Sequence, residues 1–162
     1  MQNVAYLSLG SNIGDREAHL RNAIEQIRKH GTVQAVSSSY ETEPVEYNDQ
    51  AWFLNCALAL QTGDTPDELL RSILQIEQQM GRQRIQRKGP RTIDIDILLF
   101  SDVVLDTPDL TIPHPAMAGR RFVLEPLAEI APDAMHPVLE KTIRELLSDL
   151  PLGQDVRKIQ KT

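Results

Sequence analysis

Cysteine is all but missing from this 162-residue chain: Cys56 stands alone, so no internal disulfide and no cysteine metal cage can form. A buried thiol in a reducing, cytoplasmic compartment is the expectation. Long apolar runs are missing too, and none approaches the roughly 20 residues that span a bilayer. The opening Met1-Gln2-Asn3-Val4-Ala5-Tyr6 has no basic start leading into an apolar stretch. No secretory signal and no membrane partner are therefore expected. Positive charge is in deficit, with 17 basic against 23 acidic residues and a net charge of −6, which argues against a general polyanion binder. The familiar nucleotide loops are absent as well. Gly10-Ser11-Asn12-Ile13-Gly14-Asp15 follows an apolar run but lacks Gly-Lys-Ser/Thr, and it has only two glycines where the dinucleotide fingerprint needs three. No repeat, low-complexity stretch or linker interrupts the chain. Its length suits a single domain over residues 1–162, with no second catalytic domain expected.

What is present reads as alternating strands and helices. Val4 to Leu9 is a short apolar strand, and Asp15 can cap a helix in which Leu20, Ala23, Ile24 and Ile27 recur at helical spacing until Gly31. One strand is expected between Thr32 and Tyr40, then a loop from Glu41 to Ala51. From Phe53 to Leu60 the residues alternate, with Leu54, Cys56, Leu58 and Leu60 on one face and Phe53, Asn55, Ala57 and Ala59 on the other. Thr65-Pro66-Asp67-Glu68 opens a second helix with a cap, a proline at the first helical position and a capping-box glutamate; Gly81 stops it. Thr92 to Phe100 is the last of these strands, with Ile93, Ile95, Ile97 and Leu99 expected on one face. The order is βαββαβ, an α+β arrangement in which an antiparallel sheet carries its helices on one face. A short extended piece near Val103-Leu105 and C-terminal helices near Phe122-Ile130 and Thr142-Leu150 follow, and the last dozen residues are expected to fray.

The densest chemical signal is Asp94 and Asp96. Two apart on a strand, they share a face at about 7 Å, opposite the isoleucines. Aspartate is disfavoured in strands, and like charges this close repel unless something neutralises them. A hard divalent cation does so, Mg2+ especially when phosphates complete its shell. An exposed sheet face with two solvated or Arg-paired acids satisfies the same pattern, and the pair alone leaves both open. Directly upstream, Gln78 to Ile93 holds Arg82, Arg84, Arg87, Lys88 and Arg91 and no acid, while the rest of the chain carries 12 basic and 23 acidic residues. Arginine forks fit phosphate oxygens, and cations beside metal-binding carboxylates are what transfer of a phosphoryl group requires. Phe53 and Asn55 project together, an aromatic ring and an amide that can stack on a flat heterocycle and read its polar edge, or can simply be packed and satisfied. His114, between Pro113 and Pro115, is either a donor to phosphate or a structural turn residue; Trp52 is taken as packing or surface.

Several segments together resemble the 6-hydroxymethyl-7,8-dihydropterin pyrophosphokinase family. They are Tyr6 through Asp15, Phe53-Leu54-Asn55, Gly81-Arg82-Gln83-Arg84, Gly89 through Leu99, and Ile112-Pro113-His114-Pro115, in the family's order. The stretch from Gly89 to Leu99 is the most specific. The resemblance implies a ferredoxin-like core and transfer of the terminal diphosphate of ATP to the pterin hydroxymethyl group, releasing AMP, with two Mg2+ ions. It matches Asp94 and Asp96 to the metal-binding aspartates and Arg82 and Arg91 to the arginines that assist transfer. The ATP-binding positions it implies are Glu77, Arg82, Arg84, Arg91, Ile97, His114 and Arg120. Phe53 and Phe122 match the aromatic pair that sandwiches the pterin, Asn55 its polar-edge reader, and Thr42 and Val45 loop positions whose backbone contacts it. The family's closing loops would fall at about Glu43-Ala51 and Arg82-Arg91. Lys88 replaces an aromatic common before Gly-Pro-Arg, Ala116-Met117 lacks one found in some relatives, and Leu74 stands where some have a polar residue. The partners implied are small molecules, with no nucleic acid, no membrane and no obligate protein. Two alternatives remain: a βαββαβ RNA-binding module, which would need more exposed aromatics than Phe53 and no paired acids, and a sensing domain that binds pterin or nucleotide without forming AMP.

Overall fold

The computed structural model describes residues 2–43, 52–81, 92–151 and 156–159. Strand β1 (Asn3–Ser11) lies inside the sheet, with Ala5, Leu7 and Leu9 fully buried on one of its faces. Helix α1 (Arg16–Ile27) begins where the Asp15 carboxylate accepts the Ala18 N–H at 3.1 Å, and it buries Leu20, Ala23 and Ile27. Strands β2 (Thr32–Val36) and β3 (Ser39–Thr42) both pair antiparallel with β4 (Phe53–Thr62). The single strand expected here is thus split, and Glu41 and Thr42 belong to β3 rather than to a loop. Ser37 causes the break. Its hydroxyl accepts the Ala57 N–H at 2.8 Å and donates to the Ser38 carbonyl at 2.7 Å, so a side chain replaces a rung of the ladder.

Helix α2 (Pro66–Gln79) carries the capping box its sequence announces: Thr65 Oγ1 accepts the Glu68 N–H at 3.2 Å while Glu68 Oε1 accepts the Thr65 N–H at 2.8 Å. Gly81, at φ +86°, takes the left-handed conformation that ends it. Strand β5 (Asp94–Phe100) pairs antiparallel with β1. With β2 and β3 counted as one broken strand, the sheet order β3–β4–β1–β5 is that of a ferredoxin-like βαββαβ fold.

Two short strands, β6 (Leu105–Asp106) and β7 (Thr111–Ile112), form a hairpin, and β7 leads through a cis Ile112–Pro113 bond to His114. Helix α3 (Arg121–Ile130) follows, then the small pair β8 (Met135–His136) and β9 (Lys141–Thr142), and helix α4 (Ile143–Asp149). Strand β10 (Val156–Ile159) pairs with β3. Residues 156–159 are therefore sheet, not fraying tail: they satisfy the open edge of β3, and Ile159 packs on the core.

Helices cover both faces of the sheet, not one. Helices α1 and α2 pack on Leu54, Cys56, Leu58 and Leu60, while α3 and α4 pack on Ala57, Leu98 and Leu99. Each fully buried Leu or Ile contributes ~1.5–3 kcal/mol, so the second layer adds substantially to what the βαββαβ unit buries alone. Leu99 was expected with the isoleucines. The register slips at β1, where Tyr6 faces Leu99 but Leu7 faces Ile97, so a bulge at Leu98 turns Leu99 toward α3 and Phe100 takes its place in the first core. Among the described residues no helix is long and apolar enough to cross a membrane.

Candidate active site

The sheet register assembles the site. Gly10 of β1 lies between Asn55 of β4 and Asp94 of β5, and Ser8 lies between Ala57 and Asp96. Side chains in one row share a face, so Asn55 and the acid pair look out on the same side. With strands ~4.8 Å apart, two strand spacings separate the amide from the carboxylates by about 10 Å. The floor between them is made of small residues. A Cβ at Gly10 would sit 2.7 Å from Asn55 Oδ1, so the close approach requires glycine.

At one end of this floor, Asn55 is 4% exposed and its Nδ2 donates to Thr42 Oγ1 at 2.8 Å. Phe53 stands opposite Thr42 in the ladder, half-buried at the sheet end. Phe122, in the first turn of α3 on this same side of the sheet, packs against the second core, and the Arg120 guanidinium lies 5.5 Å from its ring centroid.

At the other end, the Asp96 side chain remains 40% exposed, with His114 Nε2 4.0 Å from its Oδ1. His114 is held by two backbone bonds: its N–H donates to Leu98 O at 2.9 Å and its Nδ1 accepts the Ala116 N–H at 3.1 Å. Nδ1 being an acceptor, the neutral ring carries its proton on Nε2, the atom turned toward Asp96. Burial, then the positive charge of Arg120, pushes the His114 pKa below the usual histidine value, against the opposing pull of Asp94. Glu77 is buried in α2 and its Oε2 accepts the Ile95 N–H at 2.8 Å. Its carboxylate thus fastens the outer edge of the strand that carries both acids. A cavity of about 250 Å³ opens beside Asp96, Ile97 and His114, with Leu70, Asp109, Leu110 and Thr111 also in its wall.

Among the described residues no cluster of three His, Cys, Asp or Glu could cage a metal alone. Two hard carboxylates that are only half-buried fit Mg2+ instead, because that ion keeps waters and takes phosphate oxygens to complete its shell. Val45, Arg82, Arg84 and Arg91 lie outside the described residues, as do Lys88 and nearly all of both expected loops.

A model of the 7,8-dihydro-6-hydroxymethylpterin-pyrophosphokinase (HPPK) family matches residues 6–132, most of the chain. The chain belongs to the HPPK family. It is therefore a pyrophosphokinase, a transferase with ATP as co-substrate. It is 54% identical over 132 residues to the 2-amino-4-hydroxy-6-hydroxymethyldihydropteridine pyrophosphokinase of Bacillus subtilis (strain 168), covering 80% of this chain and 79% of that protein. It is 42% identical over 157 residues to the folic acid synthesis protein FOL1 of Dictyostelium discoideum, covering 97% of this chain but 24% of that protein. Among solved structures, Plasmodium falciparum HPPK-DHPS wild type with SDX-DHP superposes with a TM-score of 0.71 at 22% identity, over 90% of this chain and 43% of that one. This last likeness concerns the fold.

Within this candidate site, the sequence alone gives Ser8 and Gly10 no part beside Asn55 and the acids, since their part is to be small and the register across β1 reveals it. Leu70, Leu110 and Thr111 have none either, being ordinary helix and hairpin residues until the fold gathers them beside Asp96.

Proposed function

We propose that this pyrophosphokinase transfers the terminal diphosphate of ATP to the hydroxymethyl group of 6-hydroxymethyl-7,8-dihydropterin, in folate biosynthesis, and releases AMP. The hydroxyl oxygen attacks the β-phosphorus; an O–P bond forms there, the bond from the β-phosphorus to the α–β bridging oxygen breaks, and the hydroxyl proton is lost. AMP leaves with the bridging oxygen.

The observation that carries this reading is the shared sheet face, with Asn55 and Phe53 at one end and Asp94 and Asp96 about two strand spacings away. A flat heterocycle held at the first end would present its substituent toward the second. Phe53 and Phe122 supply stacking surfaces and Asn55 the amide that reads the ring edge. Asp94 and Asp96 would hold two Mg2+ ions, whose charge reconciles two carboxylates with a polyanionic triphosphate and offsets the charge developing on the transferred group. Neutral His114 offers its Nε2–H, and Arg120 its guanidinium, to phosphate oxygens beside the cavity. Ile97 and Glu77 border that side, the second by fixing β5. Thr42 and Val45 belong to the pterin end, and Arg82, Arg84 and Arg91 to the triphosphate, with Arg82 and Arg91 assisting transfer. The acidic excess of the chain suits a small-molecule enzyme working in the cytoplasm without nucleic acid or an obligate protein partner.

ATP carrying label on its β-phosphate tests the reading, since diphosphate transfer moves that phosphate and single-phosphoryl transfer leaves it in ADP. The label should move to the pterin product only when 6-hydroxymethyl-7,8-dihydropterin is present. Label retained in ADP, or recovered as inorganic phosphate, with none on the pterin, overturns it.

A further inference from the structure

Arg16 stands in the first turn of α1, where a positive charge opposes the helix dipole. Its guanidinium is turned away to another use. Nη1 donates to the Glu41 carboxylate at 3.2 Å and to the Trp52 carbonyl oxygen at 2.7 Å. Glu41 directly precedes Thr42, and Trp52 directly precedes Phe53. The same two residues are engaged from the other side by β10: Arg157 lies 3.9 Å from Glu41 Oε1 and stacks 4.5 Å from the Trp52 ring centroid. The Arg16 and Glu41 side chains are only 29% and 23% exposed, so water screens their pair incompletely. Trp52 is therefore neither idle packing nor bare surface.

Beyond this cluster the β3–β4 ladder runs through the pair Thr42–Phe53 to Asn55, whose amide leans on Thr42 Oγ1. Among the described residues, Thr42 and Phe53 form the last rung of the β3–β4 ladder. One donor atom bridging the residue before each of them constrains their spacing.

We propose that Arg16 is a positioning residue for the pterin subsite: by bridging Glu41 and Trp52 it sets the spacing of Thr42 and Phe53, and through Thr42 the orientation of Asn55. This rests on the reading that Thr42, Phe53 and Asn55 receive the pterin. Arg16 itself is assigned no contact with substrate.

The test is steady-state kinetics on the full chain with Arg16→Met and Arg16→Lys, varying pterin and ATP separately, beside thermal unfolding. Loss of a charge-assisted bridge transmitted through one rung should raise KM for the pterin about tenfold in Arg16→Met. KM for ATP should stay within about twofold, since the triphosphate side lies across the sheet. Arg16→Lys, which keeps the charge but not the fork, should recover part of the loss. A merely structural role would lower the active fraction, and hence kcat, without separating the two KM values. An unchanged pterin KM, or equal rises in both, overturns the proposal. Should Arg16→Met fail to fold, Arg157→Met on the exposed edge strand carries the same test, with a pterin KM rise of about threefold expected and no rise overturning it. A wild-type chain that binds no pterin overturns both this inference and the site reading; wild-type binding with unmoved variants overturns this inference alone.

Discussion

Replacing Gly10 by alanine adds a single methyl group at the centre of the site, and its cost can be worked from the geometry. The new Cβ would lie 2.7 Å from Asn55 Oδ1 and at ordinary contact, 3.5 Å, from Phe53 Cδ1. Relief to van der Waals distance needs the amide to retreat by about 0.7 Å. Asn55 is not a free side-chain end: it is 4% exposed and its Nδ2–Thr42 Oγ1 bond is 2.8 Å long. A retreat of that size stretches the bond past useful geometry and leaves a buried polar pair poorly satisfied, at ~1–3 kcal/mol. For a chain of this length, about 2 kcal/mol lowers Tm by roughly 4–8 °C. On the proposed reading of Asn55 as the reader of the pterin edge, KM for the pterin should rise about tenfold or more while KM for ATP changes little. Thermal unfolding followed by circular dichroism, with steady-state kinetics in each substrate, gives both readings. A Gly10→Ala protein with wild-type Tm and wild-type pterin KM would refute the claim that this strand crossing is tight for a functional reason.

Asp94→Asn and Asp96→Asn should each lower kcat by about 10²–10³ while leaving Tm within a few degrees, since both side chains are only half-buried and the amide keeps their shape; near-wild-type turnover in either would contradict the metal assignment. Thr65→Ala removes the cap of α2 and should cost about 1 kcal/mol without altering either KM, as denaturant titration and kinetics would report; no loss of stability would contradict the cap. The Glu129 carboxylate accepts Tyr40 Oη–H at 2.6 Å and the Ser38 N–H at 2.9 Å. Burial works to raise its pKa, but these bonds outweigh it and hold the carboxyl below the usual range, whereas burial and then Glu129 push the Tyr40 phenol up. Glu129 thus contributes stability that is present above the unfolded carboxylate pKa of ~4.3 and lost as pH falls through the lower folded value; Tyr40 contributes stability that is present below ~10 and lost as pH rises above it. Denaturant midpoints across pH should show both limbs, with a shallower acid limb in Glu129→Gln; parallel acid limbs would contradict the assignment.

Much of this arrangement is legible in the sequence. Thr65, Pro66 and Glu68 announce a helix start through local bonds alone, and the period-2 pattern from Phe53 onward places Asn55 and Ala57 on one face. Asp94 and Asp96 stand out because paired carboxylates on a strand demand a reason. The remainder was set by distant partners. The bulge at Leu98 depends on how β5 meets Tyr6 and Leu7, and that misplaced Leu99. The break at Ser37 depends on the Ala57 N–H twenty residues away. Coverage of the second sheet face depends on α3 and α4 folding back over Ala57, a small residue that looks ordinary in sequence. That Asn55 and the acids share a face is a matter of register across β1, which no local pattern encodes.

The most direct test of the whole account is to incubate the chain with ATP, Mg2+ and 6-hydroxymethyl-7,8-dihydropterin and to separate the nucleotides by anion exchange. The account predicts AMP, formed in step with pterin consumed and absent when the pterin is left out. ADP in place of AMP, or no pterin-dependent nucleotide product at all, would contradict it.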